Sequence, residues 1–362
     1  MNASLGTPLR VGLLLLIAAG CKPATTEPEP RVVLVTIDGL RWEDVFTGLD
    51  SLLAVQEEAF ESLAPDFWDA DTAVRRHKLM PWLWDEMATE GLLLGNRALG
   101  SDGVITNGRN FSYPSYNELL SGQPDERIDS NDKIPNPNVT VLEWLNQQPE
   151  LAGSVAAFGS WDVFPYILNE ERSGLPVNAG FRSSTDADRT QREAYLNELQ
   201  SQIPSPWGAV RLDAFTHHYA VEYMKRKSPR VVYIAYGETD DFAHDRDFDA
   251  YVRAAHRTDA FLRSLWDWLQ ASPGYAGNTT LIITTDHGRG SGEGWIGHGT
   301  GPRWAGSEFT WMAAMGPGVA PLGEMADQDF ELRQMAATAA AMVGADFTTE
   351  GAAAPVPLGR MP

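Results

Sequence analysis

Three stretches of this chain read as buried strands, and each runs directly into acidic residues. Arg31–Ile37 (RVVLVTI) ends on Asp38-Gly39. Arg230–Ala235 (RVVYIA) leads through Gly237-Glu238 to Asp240, with His244 in the next helical turn. Thr279–Thr285 (TTLIITT) ends on Asp286-His287-Gly288. Runs apolar on both faces belong inside a parallel sheet that is covered on both sides. Weaker strand signals lie at Gly91–Leu94, Ser154–Phe158 and Phe309–Ala314. Amphipathic, helix-period stretches lie between them: Pro81–Glu90, Thr140–Gln147, Asp188–Ile203, Ala209–Lys227, Phe248–Gln270 and Asp329–Val343, the last stopped by Gly344. Strand and helix in alternation predict an α/β fold with a mainly parallel central sheet.

Composition narrows what such a fold can do. Of 362 residues, 43% are hydrophobic, enough for a large core, so global disorder is excluded. The net charge of −21 speaks against a nucleic-acid binder that works through its overall field. The single Cys, Cys21, excludes an intramolecular disulfide and a Cys-rich metal site. It follows the apolar run VGLLLLIAAG, too short for a membrane span and suited to a signal peptide. Ala18-Ala19-Gly20-Cys21 resembles a bacterial lipobox, in which the Cys becomes the lipidated first residue. The expectation is a signal peptide over 1–20, lipidated Cys21 with a Pro-, Thr- and Glu-rich tether over 21–30, and one folded domain over 31–362. A polar stretch around 123–205 reads as an insertion at the sheet edge. The protein would then be exported and lipid-anchored at the cell envelope, touching the membrane only through its N-terminus.

In a parallel sheet the carboxyl ends of the strands line one crevice. Asp38, Asp240, His244, Asp286 and His287 should meet there. His298, in GHGTGP, follows the third strand closely enough to loop back. Like charges gathered this way require something positive among them. Carboxylate and imidazole ligands without sulfur suit Zn²⁺, with Mn²⁺ as the rival, and these six residues are about right for two ions.

A nucleophile candidate lies between the first two strong strands. Asn110–Gly122 (NFSYPSYNELLSG) reads as loop, then helix, with Ser112 at the N-cap and Pro114 in the first turn. A hydroxyl there faces the positive end of the helix, and a neighbouring metal would lower its pKa further. Ser115 competes, but lies inside the first turn. His77, His217, His218 and His256 have no strand-end acid beside them. Trp42, Phe46, Trp161 and Phe164 are expected to pack in the core.

The ordered set Asp38-Gly, Ser112-x-Pro…Gly122, Asp240-x-x-x-His244, Asp286-His287-Gly and His298-Gly resembles the alkaline phosphatase superfamily. It is most similar to the phosphodiesterase/nucleotide pyrophosphatase and phosphoglycerate-mutase-like branches, over about residues 31–345. The resemblance implies a three-layer α/β/α sandwich. It implies one metal on Asp240, His244 and His298, and another on Asp38, Asp286, His287 and the Ser112 oxygen. It implies hydrolysis of small phosphoric esters through a phosphoserine, or transfer of the same group to another acceptor. A surface-tethered binding protein on a degenerate scaffold would be expected to lose ligands, and all seven candidates are present. Ala243 stands where the family has Gly, beside intact ligands. Asn131 lies near the place of a phosphate-binding Asn. Formylglycine sulfatases need Arg two residues after the motif Pro, and here that residue is Tyr116.

Overall fold

In the computed structural model of the chain, residues 1–3, 6 and 29–359 are described. The expected signal peptide (apart from 1–3 and 6), Cys21 and the tether up to residue 28 lie outside them.

Eleven strands are formed among the described residues: β1 Arg31–Ile37, β2 Gly91–Leu94, β3 Gly103–Val104, β4 Val155–Gly159, β5 Val177–Ala179, β6 Val231–Tyr236, β7 Thr279–Thr284, β8 Phe309–Thr310, β9 Met312–Met315, β10 Gly323–Glu324 and β11 Phe330–Glu331. Eight of them make the main sheet, in the order β10-β2-β9-β7-β1-β6-β4-β5, and β11-β3-β8 make a small second sheet. In the main sheet only β9 runs antiparallel to its neighbours. The three strong strands of the sequence are adjacent at its centre. Val33 sits level with Leu281 on one side and Val232 on the other.

Alternation along β1 sends Val33, Val35 and Ile37 to one face and Val32 and Leu34 to the other. The first face is covered by helices Asp213–Lys227 and Phe248–Ala271, through residues such as Met224, Leu262 and Leu265. The second is covered by helices Ser112–Ser121, Val141–Asn146 and Met335–Ala341, through Leu119, Leu142 and Ala336. The result is a three-layer α/β/α sandwich. Within the expected insertion around 123–205, β4 and β5 extend the main sheet at one edge. No helix among the described residues is long and apolar enough to cross a membrane.

Several boundaries differ from the sequence expectation. The run 309–314 splits into β8 and β9 at Trp311, whose buried indole donates to the Leu40 carbonyl at 3.0 Å. The helix expected over 329–343 begins only at Met335. Its first part is β11, because Phe330 pairs with β3 and lies so close over Gly103 that a Cβ there would meet the ring at 2.3 Å. The helix expected over 188–203 starts at Gln191, where Thr190 and Glu193 form a reciprocal capping box. The stretch 81–90 is wound as a π-turn, Leu83–Met87, followed by Ala88–Glu90.

Candidate metal centre and nucleophile

Parallel register brings Asp38, Asp240 and Asp286 to one end of the sheet, since their strands lie side by side as β7-β1-β6. Asp38 is fixed on two sides. Tyr116 Oη donates to its Oδ2 at 2.9 Å, and Thr239 Oγ1 donates to its carbonyl at 2.5 Å. Gly39 turns the chain at φ +61, and its N–H donates to Asp286 Oδ1 at 3.2 Å. A Cβ on Gly39 would lie 2.7 Å from both Arg289 Nη1 and Asp240 Oδ1, so glycine is required for space as well as for φ.

His287 is the hub. It is fully buried, and its Nε2 lies 3.3 Å from Asp38 Oδ1, 3.4 Å from Asp286 Oδ2 and 3.3 Å from Ser112 Oγ. Its Nδ1 bonds the Gly288 carbonyl at 3.0 Å, which requires the proton on Nδ1 and leaves the Nε2 lone pair facing the acids. Asp240 Oδ2 lies 3.1 Å from His244 Nε2, and its Oδ1 lies 3.6 Å from His298 Nε2. The two Nε2 atoms of His244 and His298 are 3.0 Å apart. Two overlapping groups therefore have their donor atoms within 4.8 Å of one another: Asp38, Asp286 and His287, and Asp240, His287 and His298. The first is the grouping implied by the family resemblance, with the Ser112 oxygen beside it. In the second, His287 stands between the groups, while His244 reaches Asp240 and His298 from the exposed rim.

The electrostatics fit divalent cations. Asp38 Oδ1, Asp286 Oδ2 and His298 Nδ1 are buried with no hydrogen-bond partner. An unmet buried polar group costs about 1–3 kcal/mol, more when charged. Burial, then the neighbouring carboxylates, pushes Asp38 and Asp286 well above the ordinary range. Burial pushes His287 down to about 4 and His298 well below its usual value, so both imidazoles are neutral, as ligands must be. Burial also acts to raise Asp240, but His244, Arg289 and His298 outweigh it and hold Asp240 low.

Ser112 corrects one expectation. The helix N-cap is Phe111, in extended conformation, and Ser112 is the first helical residue. Its hydroxyl therefore turns to His287 instead of capping the helix. The preceding loop is held by buried Glu118, which accepts from the N–H groups of Thr106 and Asn107 at 2.9 Å each. Ser115 is fully buried and engaged by Asn107 Nδ2 at 3.2 Å, away from the cavity. Asn131 Oδ1 accepts from the Tyr113 N–H at 3.0 Å, beside Ser112 at the helix start.

A cavity of about 310 Å³ opens above the cluster. Its walls include Asp38, Ser112, Asn131, Asp240, His244 and His298, and also Trp161, Val210, Gly237 and Asp241. Asp286 and His287 lie fully buried, outside the cavity wall. Trp161 lines the cavity and also packs against the second core, edge-to-face with Phe164, while Phe46 and Phe164 are buried in the two cores and Trp42 packs against the first.

Sequence reasoning missed three residues. Arg289 is buried, reaches Asp240 Oδ1 through Nη1, and donates from Nε to the Trp295 carbonyl at 2.7 Å. An Arg in a Gly-rich loop gives no local sign that it folds inward. Its place after Asp286-His287-Gly288 was the only available hint. Tyr116, on helix Ser112–Ser121, donates to Asp38. Asp241 follows the candidate ligand Asp240 directly and so reads as its solvated neighbour. Burial, then Asp240, Asp213 and Asp245, pushes Asp241 up to about 8.

The sulfatase family profile matches residues 30–310. The chain belongs to the sulfatase family. That family lies in the alkaline phosphatase superfamily, as do the solved structures that share this fold. One is the wild-type alkaline phosphatase PafA, at TM-score 0.59 and 10% identity, covering 91% of this chain and 99% of that one. Another is the phosphonate monoester hydrolase SpPMH from Silicibacter pomeroyi, at 0.56 and 14%, covering 92% and 78%. A third is BT1596, a 2-O GAG sulfatase, at 0.55 and 13%, covering 92% and 75%. No curated protein matches significantly. Sulfatase-family enzymes are hydrolases or transferases that use divalent metals, and the carboxylate–imidazole cluster of this chain has the donors for them.

Proposed function

We propose that this sulfatase-family protein cleaves phosphoric esters with Ser112 as nucleophile. The observation that carries this is the Ser112 hydroxyl itself, which lies at the cavity wall 3.3 Å from His287 in the carboxylate–imidazole cluster. Tyr116, at the position where a formylglycine sulfatase needs Arg, instead has its hydroxyl on Asp38. That argues for an unmodified serine.

Asp38, Asp286, His287 and the Ser112 oxygen would hold one divalent ion, and Asp240, His244 and His298 the other. Zinc suits this sulfur-free set, with manganese as the alternative. Bound ions would supply Lewis-acid stabilisation of the attacking and leaving oxygens. The rest falls to the chain. Ser112 Oγ attacks phosphorus, the bond to the leaving alcohol breaks, and the alcohol takes up a proton. Water then cleaves the phosphoserine to free phosphate or a monoester, and Ser112 regains its proton. Transfer differs only in that another alcohol replaces water. The start of the Ser112–Ser121 helix, with Asn131 beside it, orients the phosphoryl oxygens.

The deciding experiment compares a phosphate monoester, a phosphate diester and a sulfate ester on Zn²⁺-loaded protein, before and after dialysis against a chelator. The expected result is phosphate ester turnover that the chelator abolishes and Zn²⁺ restores. A preference for the sulfate ester overturns the reading.

The same proposal places the protein outside the cytoplasmic membrane, held by a lipid on Cys21. Cys21→Ala should move it from the membrane to the soluble envelope fraction. An unchanged distribution rejects the anchor.

A further inference from the structure

Among the described residues, Arg289 is the only Lys or Arg paired with a candidate metal ligand, and it lies behind the cavity wall. It is fully buried. Its Nε donates to the Trp295 carbonyl at 2.7 Å, its Nη1 donates to Asp240 Oδ1, and its Nη2 has no hydrogen-bond partner. Glycine at residue 39 leaves room for this contact, since a Cβ there would lie 2.7 Å from both Nη1 and Oδ1.

A buried cation beside a site for cations lowers the affinity for them. The oxygen that Arg289 takes explains what it does there. Asp240 Oδ1 faces His298 Nε2 at 3.6 Å and His287 Nε2 at 4.0 Å, where the two ligand groups meet. Asp240 Oδ2 faces His244 Nε2 at 3.1 Å. Without Arg289, Oδ1 would be free to join Oδ2 on one ion or to bridge both. Hydrogen-bond partners behind a metal ligand tune its basicity. A cation donating to a carboxylate makes it a poorer base, because opposite charge favours the ionised form. With His244 and His298 neutral, as ligands must be, Arg289 cancels the charge of Asp240 and leaves this donor set with none.

We infer that Arg289 is a positioning residue. It withholds Asp240 Oδ1 from the metal ions, so that the ion on Asp240, His244 and His298 has three protein donors and an open position for a substrate oxygen. Catalytic zinc sites keep such a position. This rests on the two-ion phosphoric ester reading above.

The test uses full-length protein, stripped of metal and reloaded. It is made in the wild type and in the Asp286→Asn background, where the Asp240 site holds the remaining ion. Zn²⁺ affinity is read by competition with a chromophoric chelator, and the donor set by the visible absorption of the Co²⁺-loaded form. Arg289→Gln and Arg289→Met remove the charge and free Oδ1. Both should bind the ion more tightly, by a factor on the order of ten, with weaker Co²⁺ absorption as a further oxygen disturbs the tetrahedral set. In the otherwise wild-type protein, kcat/KM on the best phosphate ester should nevertheless fall by a factor on the order of ten or more. A merely structural Arg289 would give the opposite pairing, with metal affinity and turnover lost together. Unchanged or weaker affinity in both variants, or misfolding of both, overturns the inference and leaves the phosphoric ester reading in place. Absence of turnover on every phosphate ester by the metal-loaded wild type overturns that reading, while the affinity comparison still decides whether Arg289 withholds Oδ1. Absence of metal binding by the wild type overturns both.

Discussion

Ser112→Ala is expected to lower kcat/KM on the best phosphate ester by a factor on the order of 10⁴ while the protein keeps its bound metal. Among the described residues, Ser112 is the only hydroxyl side chain on the cavity wall. Ser115 cannot replace it, because it is fully buried and held by Asn107. The ion beside Ser112 would keep Asp38, Asp286 and His287, so elemental analysis of the variant should give the wild-type metal content. Full activity in Ser112→Ala would overturn the mechanism. A parallel loss of metal and activity would mean that the serine acts mainly as a ligand.

Asp286→Asn should have two opposite effects. With metal present, it should lower the bound metal by about one ion per chain and reduce activity on the order of 10³-fold, because a buried anionic ligand is gone. In the presence of chelator it should raise the melting temperature above pH 7. The sign follows from proton linkage. Burial holds Asp38 and Asp286 above the ordinary carboxylate value of 3.8 in the folded protein. Between that value and the raised one, the folded state binds more protons than the unfolded state, so stability falls as pH rises. Replacing one of the two acids removes this loss and relieves the other. His287, pushed down to about 4, acts in the opposite sense as pH falls below the usual imidazole value of 6.5, so the comparison belongs above pH 7. A metal-free Asp286→Asn protein that melts at or below the wild type there contradicts the repulsion argument.

Much of the acid and imidazole cluster could be read from the chain because parallel strands end together. Each strong strand is apolar on both faces and stops at an acid, so neighbourhood in the sheet brings distant acids into one crevice. Helix ends were legible where a single residue marks them, as with Gly122 at the end of helix Ser112–Ser121. They were not legible where a partner decided them. Phe330 has helical neighbours in sequence, yet it pairs as a strand because Gly103 offers a surface without a side chain. Ser112 was expected beside the acid cluster, where it lies, but at the wrong step of the helix, since the cap position depends on the backbone of Phe111.

The sequence by itself determined the α/β architecture, the order of the acidic strand ends and the serine at the start of the candidate nucleophile helix. These depend on apolar periodicity and on residues at strand termini, which are local properties. Only the tertiary structure decided which side chains surround the acids. Arg289 turns inward because Gly39, far away along the chain, has no Cβ to exclude it. Tyr116 reaches Asp38, and Trp161 and Asp241 come to share one wall, because separate sheet connections meet at the same crevice. Side-chain direction at such a meeting point is set by the packing of segments remote in sequence, and no pattern within one segment encodes it.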